Sequence, residues 1–143
     1  MLVSQILKSK GDMVFTITPN ETVAAAAGLL HARRVGAMVV MNAQDHVAGI
    51  LSERDVVRAV SDAGPSALSR PVSEFMTREV VFADPAEMVD ALLSRMTDRR
   101  IRHLPVCKEG RLMGIVSIGD LVKVKIAETE AEAQHLKDYI AAG

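Results

Sequence analysis

The chain has 143 residues, of which 49% are hydrophobic and 24% are charged, and its formal net charge is −1. A nearly neutral chain with interspersed charges lacks the basic face with which proteins bind nucleic acid phosphates, so we expect no nucleic acid partner. Its apolar runs fall far short of the roughly 18 residues that span a bilayer, so the sequence predicts no membrane helix.

One stretch of the sequence occurs twice. Gly49–Asp55 reads GILSERD, and Gly114–Asp120, 65 positions later, reads GIVSIGD. Upstream of each copy, a proline (Pro19 or Pro85) precedes apolar residues at i, i+3, i+4 and i+7, the spacing of one helix face. The duplication covers nearly everything from residue 3 to residue 123, so we predict two related repeats that share a core.

The first repeat, residues 1–64, is predicted to fold in the order short helix, strand, helix, strand, strand, helix. Its elements are expected at residues 3–7, 14–18, 21–34, 37–41, 47–51 and 53–63. The stretch 64–71, which contains two prolines, one glycine and two serines, predicts a linker at residues 65–71.

The second repeat, residues 72–125, is predicted to fold in the same order. Its elements are expected at residues 72–76, 80–83, 86–98, 104–107 and 112–116, and from 119 onward. Pro105 within one of these strands indicates a sheet edge or an interrupted ladder. Residues 126–143 are predicted to form a C-terminal helix, and its weak apolar seam suits either a partner helix or its own domain. The fold class is therefore α/β (α+β), with two pseudo-symmetric β-α-β-β-α repeats packed as one module.

Each copy of the duplicated stretch contains a serine followed three residues later by an aspartate, Ser52 with Asp55 and Ser117 with Asp120. This spacing matches a capping box, in which both side chains satisfy free N–H groups at a helix start. It also suits a nucleotide, because an ionised carboxylate accepts hydrogen bonds from both ribose hydroxyls and a helix start favours phosphate. Both interpretations stay open at this point.

A basic cluster, Arg99–His103, precedes the strand that contains Pro105. It could be a solvated face, but its position opposite the Ser/Asp pair favours phosphate binding by Arg102 and His103, because arginine binds phosphate through two hydrogen bonds. Arg54, in the first repeat, is a further candidate for phosphate.

The sequence contains no recognisable catalytic motif, and its four histidines and one cysteine show no metal-ligand spacing. We therefore expect no enzyme and no metal site. The single cysteine, Cys107, cannot form an internal disulfide, which favours a reducing, cytoplasmic location.

These residues resemble the CBS-pair family, whose name comes from the regulatory domain of cystathionine β-synthase. The resemblance rests on Thr16–Pro19 before a helix, on Val35–Val40, on both Gly-x-x-Ser-x-x-Asp stretches, and on Arg102–Val106. It spans about residues 3 to 123 and implies clefts between the repeats that bind adenine nucleotides. AMP or ATP is the usual ligand in the family, and NAD(H) or S-adenosylmethionine is a further one.

The resemblance also implies roles for individual residues. Asp55 and Asp120 would hold ribose hydroxyls, with Ser52 and Ser117 near ribose or phosphate, while Arg54, Arg102 and His103 would reach phosphates. The residues expected around adenine are Thr16, Gly36, Ala37, Met38, Val80, Phe82, His103, Leu104 and Pro105. Phe82 stands where the first repeat has Thr16, so the two clefts are expected to differ in nucleotide preference.

The sequence thus predicts a non-catalytic adenine-nucleotide sensor that forms a homodimer through its helices and reports to an unknown protein partner. The rival interpretation is a protein–protein interaction domain whose clefts are vestigial. A small nucleotide-processing enzyme is the third interpretation, and it lacks a candidate nucleophile or base.

Overall fold

The computed structural model describes residues 1–11 and 14–143. The helices of the described residues are α1 (Val3–Lys10), α2 (Val23–Arg33), α3 (Glu53–Ala63), α4 (Val89–Arg99) and α5 (Ile118–Ala142). The strands are β1 (Thr16–Ile17), β2 (Ala37–Met41), β3 (Val47–Ser52), β4 (His103–Lys108) and β5 (Arg111–Ser117). Short 3-10 helices lie at Pro65–Ser69, within the predicted linker, and at Val72–Glu74.

Each repeat contributes one small sheet. In the first, β1 pairs with β2 in parallel and β2 pairs with β3 antiparallel, with Val39 opposite Ile50. In the second, β4 and β5 form an antiparallel pair with Pro105 opposite Ile115. The mixed α/β architecture and the repeated strand–strand–helix order confirm the predicted fold class.

The predicted strand at residues 80–83 was wrong, and the interrupted ladder expected at Pro105 explains the error. Only Ala83 forms a bridge, donating its N–H to the Pro105 carbonyl and accepting from the Cys107 N–H. The next bond of a parallel ladder would need an N–H on residue 105, which proline lacks. Pairing therefore stops after one residue.

Several predicted element boundaries were also wrong, each for a local reason. The first strand is confined to Thr16–Ile17, and the predicted helix at 72–76 is a 3-10 helix. α2 begins two residues late because the Thr22 hydroxyl accepts a hydrogen bond from the Ala25 N–H and caps the helix. α4 begins three residues late because Asp84 first organises a turn by accepting from the Ala86 N–H.

The first segment of each repeat packs into the core of the other repeat. Val3, Ile6 and Leu7 of α1 belong to a buried cluster that otherwise consists of second-repeat residues. Conversely, Val72 and Met76 join the core of the first repeat. Since burying a side chain of this kind contributes about 1.5 to 3 kcal/mol, the exchange ties the two repeats together. It also places the end of α1 beside the second Ser/Asp pair.

α5 is one continuous helix of 25 residues. It runs unbroken across residues 125 and 126, the predicted boundary between the second repeat and a C-terminal helix. Leu121 is its only buried residue, and Val122, Ile126, Leu136 and Ile140 are exposed. Among the described residues, no helix is long and apolar enough to cross a membrane.

Candidate ligand-binding clefts

Both Ser/Asp pairs stand where a strand of the second half of a repeat passes into a helix, and both form a capping box. The Asp55 N–H donates to the Ser52 hydroxyl at 3.2 Å, and Asp55 Oδ2 accepts from the Ser52 N–H at 2.9 Å. The corresponding distances for Ser117 and Asp120 are 3.2 and 2.8 Å. The capping interpretation is therefore confirmed in both copies. It uses one oxygen of each carboxylate and leaves the other for further partners.

A cleft of about 260 Å³ brings the first Ser/Asp pair together with the basic cluster of the second repeat. Its lining residues are Gly36, Ile50, Ser52, Glu53, Arg54, Asp55, Arg58, Thr77, Arg100, Ile101, Arg102 and His103. Four guanidinium groups thus face two carboxylates, which gives the first cleft an excess of positive charge. This charge favours an anionic ligand.

Asp55, at the floor of the first cleft, is only 3% exposed. Its Oδ1 accepts from the Arg58 guanidinium at 2.6 Å, and the Thr77 hydroxyl lies 3.4 and 3.5 Å from the two oxygens. Arg58 itself is half exposed. A ligand that used Asp55 would therefore need to displace Arg58, whose flexible side chain can move into solvent.

His103 lies on the wall of the first cleft, against Gly36. A Cβ atom at Gly36 would lie 2.9 Å from His103 Nε2, so the close approach of these two residues requires glycine. Burial, reinforced by the charges of Lys10 and Arg102, lowers the pKa of His103 although Glu53 and Asp120 act in the opposite direction. The imidazole is therefore neutral at pH 7 and offers one donor and one acceptor.

The second Ser/Asp pair has a different partner, Lys10 at the end of α1. Lys10 Nζ donates to Asp120 Oδ2 at 2.7 Å and to the Ile115 carbonyl at 2.8 Å. Among the described residues, Asp120 Oδ1 has no hydrogen-bond donor, and the side chain is 25% exposed. Burial, the largest influence, raises the pKa of Asp120, but the hydrogen bonds from Lys10 and Ser117 together outweigh it and leave the pKa below its usual value.

The family is decided by comparison of the whole chain with known proteins. The profile described as "CBS domain" matches residues 4–62 and again residues 72–127. The chain belongs to the CBS-domain family. It carries the domain as a tandem pair, as the sequence predicted.

Relatives and solved structures of this CBS pair support the assignment. The mitochondrial CBS domain-containing protein CBSX3 of Arabidopsis thaliana is 37% identical over 99% of this chain and 72% of its own length. The crystal structure of the CBS-domain containing protein ATU1752 of Agrobacterium tumefaciens is 44% identical, with a TM-score of 0.84 over 87% of this chain and 92% of that chain. The CBS domain pair of protein MJ0100, in complex with 5′-methylthioadenosine and S-adenosyl-L-methionine, is 25% identical, with a TM-score of 0.77 over 87% of this chain and 98% of that chain.

The first cleft of the CBS pair gathers some of the predicted site residues and not others. Those that line it are Gly36, Ser52, Arg54, Asp55, Arg102 and His103. Outside its lining, Ala37, Met38, Leu104 and Pro105 are buried in β2 and β4, Val80 is half-buried, and Thr16 and Phe82 are exposed. Ser117 and Asp120 lie outside this lining, at the equivalent place of the second repeat beside Lys10, and we refer to that place as the second cleft.

The residues at the clefts that were not predicted as site residues are Ile50, Glu53, Arg58, Thr77, Arg100, Ile101 and Lys10. Arg58 could have been found, because it follows Asp55 by three positions on a helix, where side chains meet. Thr77 and Lys10 reach the carboxylates from the exchanged first segments, and no local spacing indicates that exchange.

Proposed function

We propose that the protein is a non-catalytic sensor module that binds an adenine nucleotide, AMP or ATP, in its CBS clefts. One observation carries the proposal: Ser52 and Asp55 of the first repeat share a single cleft with Arg102 and His103 of the second. The groups proposed to bind the ribose hydroxyls thus face the groups proposed to bind phosphate across the repeat boundary. The adenosine-based ligands of the MJ0100 pair, a member of the same family, support this ligand class.

The chemistry of the first cleft suits a ribose phosphate. Asp55 would accept hydrogen bonds from the ribose hydroxyls once Arg58 turns away, with Ser52 beside it. Arg102 and Arg54 would hold the phosphate through charge-assisted hydrogen bonds, and the neutral imidazole of His103 would donate one more. Asp120 and Ser117 are proposed to do the same for ribose in the second cleft.

The size of the first cleft favours a mononucleotide. Its volume of about 260 Å³ lies just below the usual range for ligand pockets, which begins at about 300 Å³. NAD(H) would extend beyond this cleft, so we propose AMP or ATP rather than NAD(H) as its ligand. The proposed adenine contacts outside the cleft lining remain predictions.

The homodimer remains part of the proposal. Exposed apolar side chains lie on α3 and α5, with Val57 69% and Ile126 54% exposed, and a second copy could cover them. The protein partner that would read the nucleotide state stays unassigned. The cytoplasmic location rests on the single cysteine and stays a prediction.

The alternative function, an interaction domain with vestigial clefts, is favoured by one observation. Asp55 already has capping, ion-pair and hydroxyl partners within the protein, so its conformation does not require a ligand. Under this alternative, the cleft residues stabilise the fold and only the surface binds a partner.

A calorimetric titration with AMP and adenosine separates the two functions. Arg102→Met removes a proposed phosphate contact, and Arg99→Met, which replaces another exposed arginine that lies outside the cleft lining, is the matched control. We expect Arg102→Met to weaken AMP about ten-fold or more, because a charge-assisted hydrogen bond is lost, while adenosine changes little. Absence of AMP and ATP binding to the unmutated protein at millimolar concentration would establish the alternative.

A further inference from the structure

The exchanged first segments of the two repeats occupy equivalent positions as far as Met76 in one and Leu7 in the other. The Met76 side chain lies so close to Gly49 that a Cβ there would be 2.8 Å from its sulfur, and Leu7 holds the same relation to Gly114, at 2.6 Å from Cδ2. Met76 and Leu7 are therefore structural counterparts. Their clefts can be compared residue by residue from this position.

Beyond these counterparts the two segments differ. Thr77 is extended, so its backbone bonds both the N–H and the carbonyl of Ile50, and its hydroxyl approaches Asp55. On the other side α1 continues to Lys10, so the corresponding segment of the described chain stays helical and forms no bridge to β5. The Lys10 ammonium instead donates to Ile115 and Asp120, the counterparts of Ile50 and Asp55. Since Ile50 and Asp55 line the first cleft, Lys10 occupies the equivalent floor of the second.

The second cleft keeps only two of the four cationic positions of the first. By the repeat alignment, Gly119 stands in place of Arg54 and Gly36 in place of Arg102, whereas Lys123 and Arg34 keep a positive charge in place of Arg58 and Arg100. An ammonium group has three donors, and Lys10 uses two of them on Asp120 and Ile115. The third donor, with the positive charge, is left for a ligand.

We infer that Lys10 determines the ligand specificity of the second cleft, selecting a nucleoside phosphate over the neutral nucleoside. The inference rests on the proposed function. A ribose that bonds both oxygens of Asp120 competes with the Lys10 ammonium for Oδ2, and a neutral nucleoside gives Lys10 no anion in exchange. A phosphate on the same ligand supplies that anion, because it accepts a hydrogen bond from the Lys10 ammonium while the ribose hydroxyls donate to the Asp120 carboxylate.

Titration of labelled protein by two-dimensional ¹H–¹⁵N NMR tests the inference cleft by cleft. The amide of Gly119, next to Asp120, reports the second cleft, and the amide of its counterpart Arg54, next to Asp55, reports the first. In the unmutated protein we expect adenosine to bind the second cleft about ten-fold or more weakly than AMP, since about 1.4 kcal/mol is ten-fold. Lys10→Met should bring the ratio of the two dissociation constants at Gly119 close to one and leave the ratio at Arg54 unchanged.

Three further variants serve as controls for this experiment. Lys8→Met removes another exposed lysine of α1 and should leave both ratios unchanged. Lys10→Arg keeps the charge and should preserve the preference for AMP, whereas Lys10→Gln keeps a donor without the charge and should abolish it. The glutamine variant also provides the comparison if the methionine variant folds poorly.

The outcomes separate the inference from the proposed function. If AMP shifts the Gly119 amide but the ratio of the adenosine and AMP dissociation constants is unchanged in Lys10→Met and Lys10→Gln, the role of Lys10 is overturned and the proposed function stands. AMP confined to the first cleft does the same. Absence of any shift with AMP, ATP or adenosine overturns the proposed function and this inference together.

Discussion

Replacing the two cleft aspartates by alanine should destabilise the protein unequally. Asp55 is 3% exposed, and its carboxylate accepts from the Ser52 N–H and the Arg58 guanidinium. Asp120 is more exposed, and its ion pair with Lys10, a side chain 38% exposed, lies closer to solvent. The more deeply buried carboxylate should contribute more, because solvent screens it less.

The magnitudes follow from the contacts of each carboxylate. Loss of a helix cap costs about 0.5 to 2 kcal/mol, and a hydrogen bond to a charged group contributes about 1.5 to 3 kcal/mol. Because Arg58 is half exposed, we take the lower part of that range and expect about 2 to 3 kcal/mol for Asp55→Ala. For Asp120→Ala we expect about 1 to 2 kcal/mol, since a solvent-exposed ion pair contributes at most about 1 kcal/mol.

Urea denaturation followed by circular dichroism measures both losses. Asp55→Asn keeps an oxygen acceptor for the Ser52 N–H but removes the charge that pairs with Arg58, so its loss should be intermediate. A loss for Asp120→Ala equal to or greater than that for Asp55→Ala would refute the reasoning from burial. So would an Asp55→Asn variant as unstable as Asp55→Ala.

Three further predictions concern the cleft wall, pH and assembly. Gly36→Ala should displace His103 and weaken AMP at the first cleft several-fold with little change in melting temperature, as calorimetry can check; unchanged affinity would show that the contact is unimportant. His103, whose folded pKa is lowered from 6.5, stabilises the fold fully above that pH, and this contribution is lost as pH falls through the folded pKa. Between pH 7 and pH 5, the melting temperature of His103→Gln should therefore fall less than that of the unmutated protein. An equal fall in the two proteins would contradict this prediction. Val57→Asp or Ile126→Asp should convert a dimer to a 15.4 kDa monomer in light scattering, and an unmutated monomer at micromolar concentration would exclude the homodimer.

The tandem repeat was predictable because it is written in local sequence. The copies GILSERD and GIVSIGD carry the strand end, the capping hydroxyl and the helix start in seven residues, and the structure places both at such junctions. Capping boxes depend on side chains three positions apart, so spacing alone reveals them. The basic cluster before β4 could also be found, because its members are contiguous.

The rest of the site depends on tertiary contacts that spacing does not encode. The repeat alignment places Thr77 opposite Lys8, yet the residue that reaches Asp120 is Lys10, because α1 remains helical where the other segment is extended. The apolar residues at 80–83 predicted a full strand, but its pairing with β4 is limited to Ala83 because Pro105 on β4 has no N–H to donate. In both cases, the deciding group lies far away in sequence.

A crystal structure of the protein grown with AMP tests the central claim most directly. The account predicts AMP in the first cleft, with its ribose hydroxyls on Asp55, its phosphate on Arg102 and His103, and Arg58 turned away from the carboxylate. Clefts that remain empty at millimolar AMP and ATP, with Arg58 still on Asp55, would contradict the account.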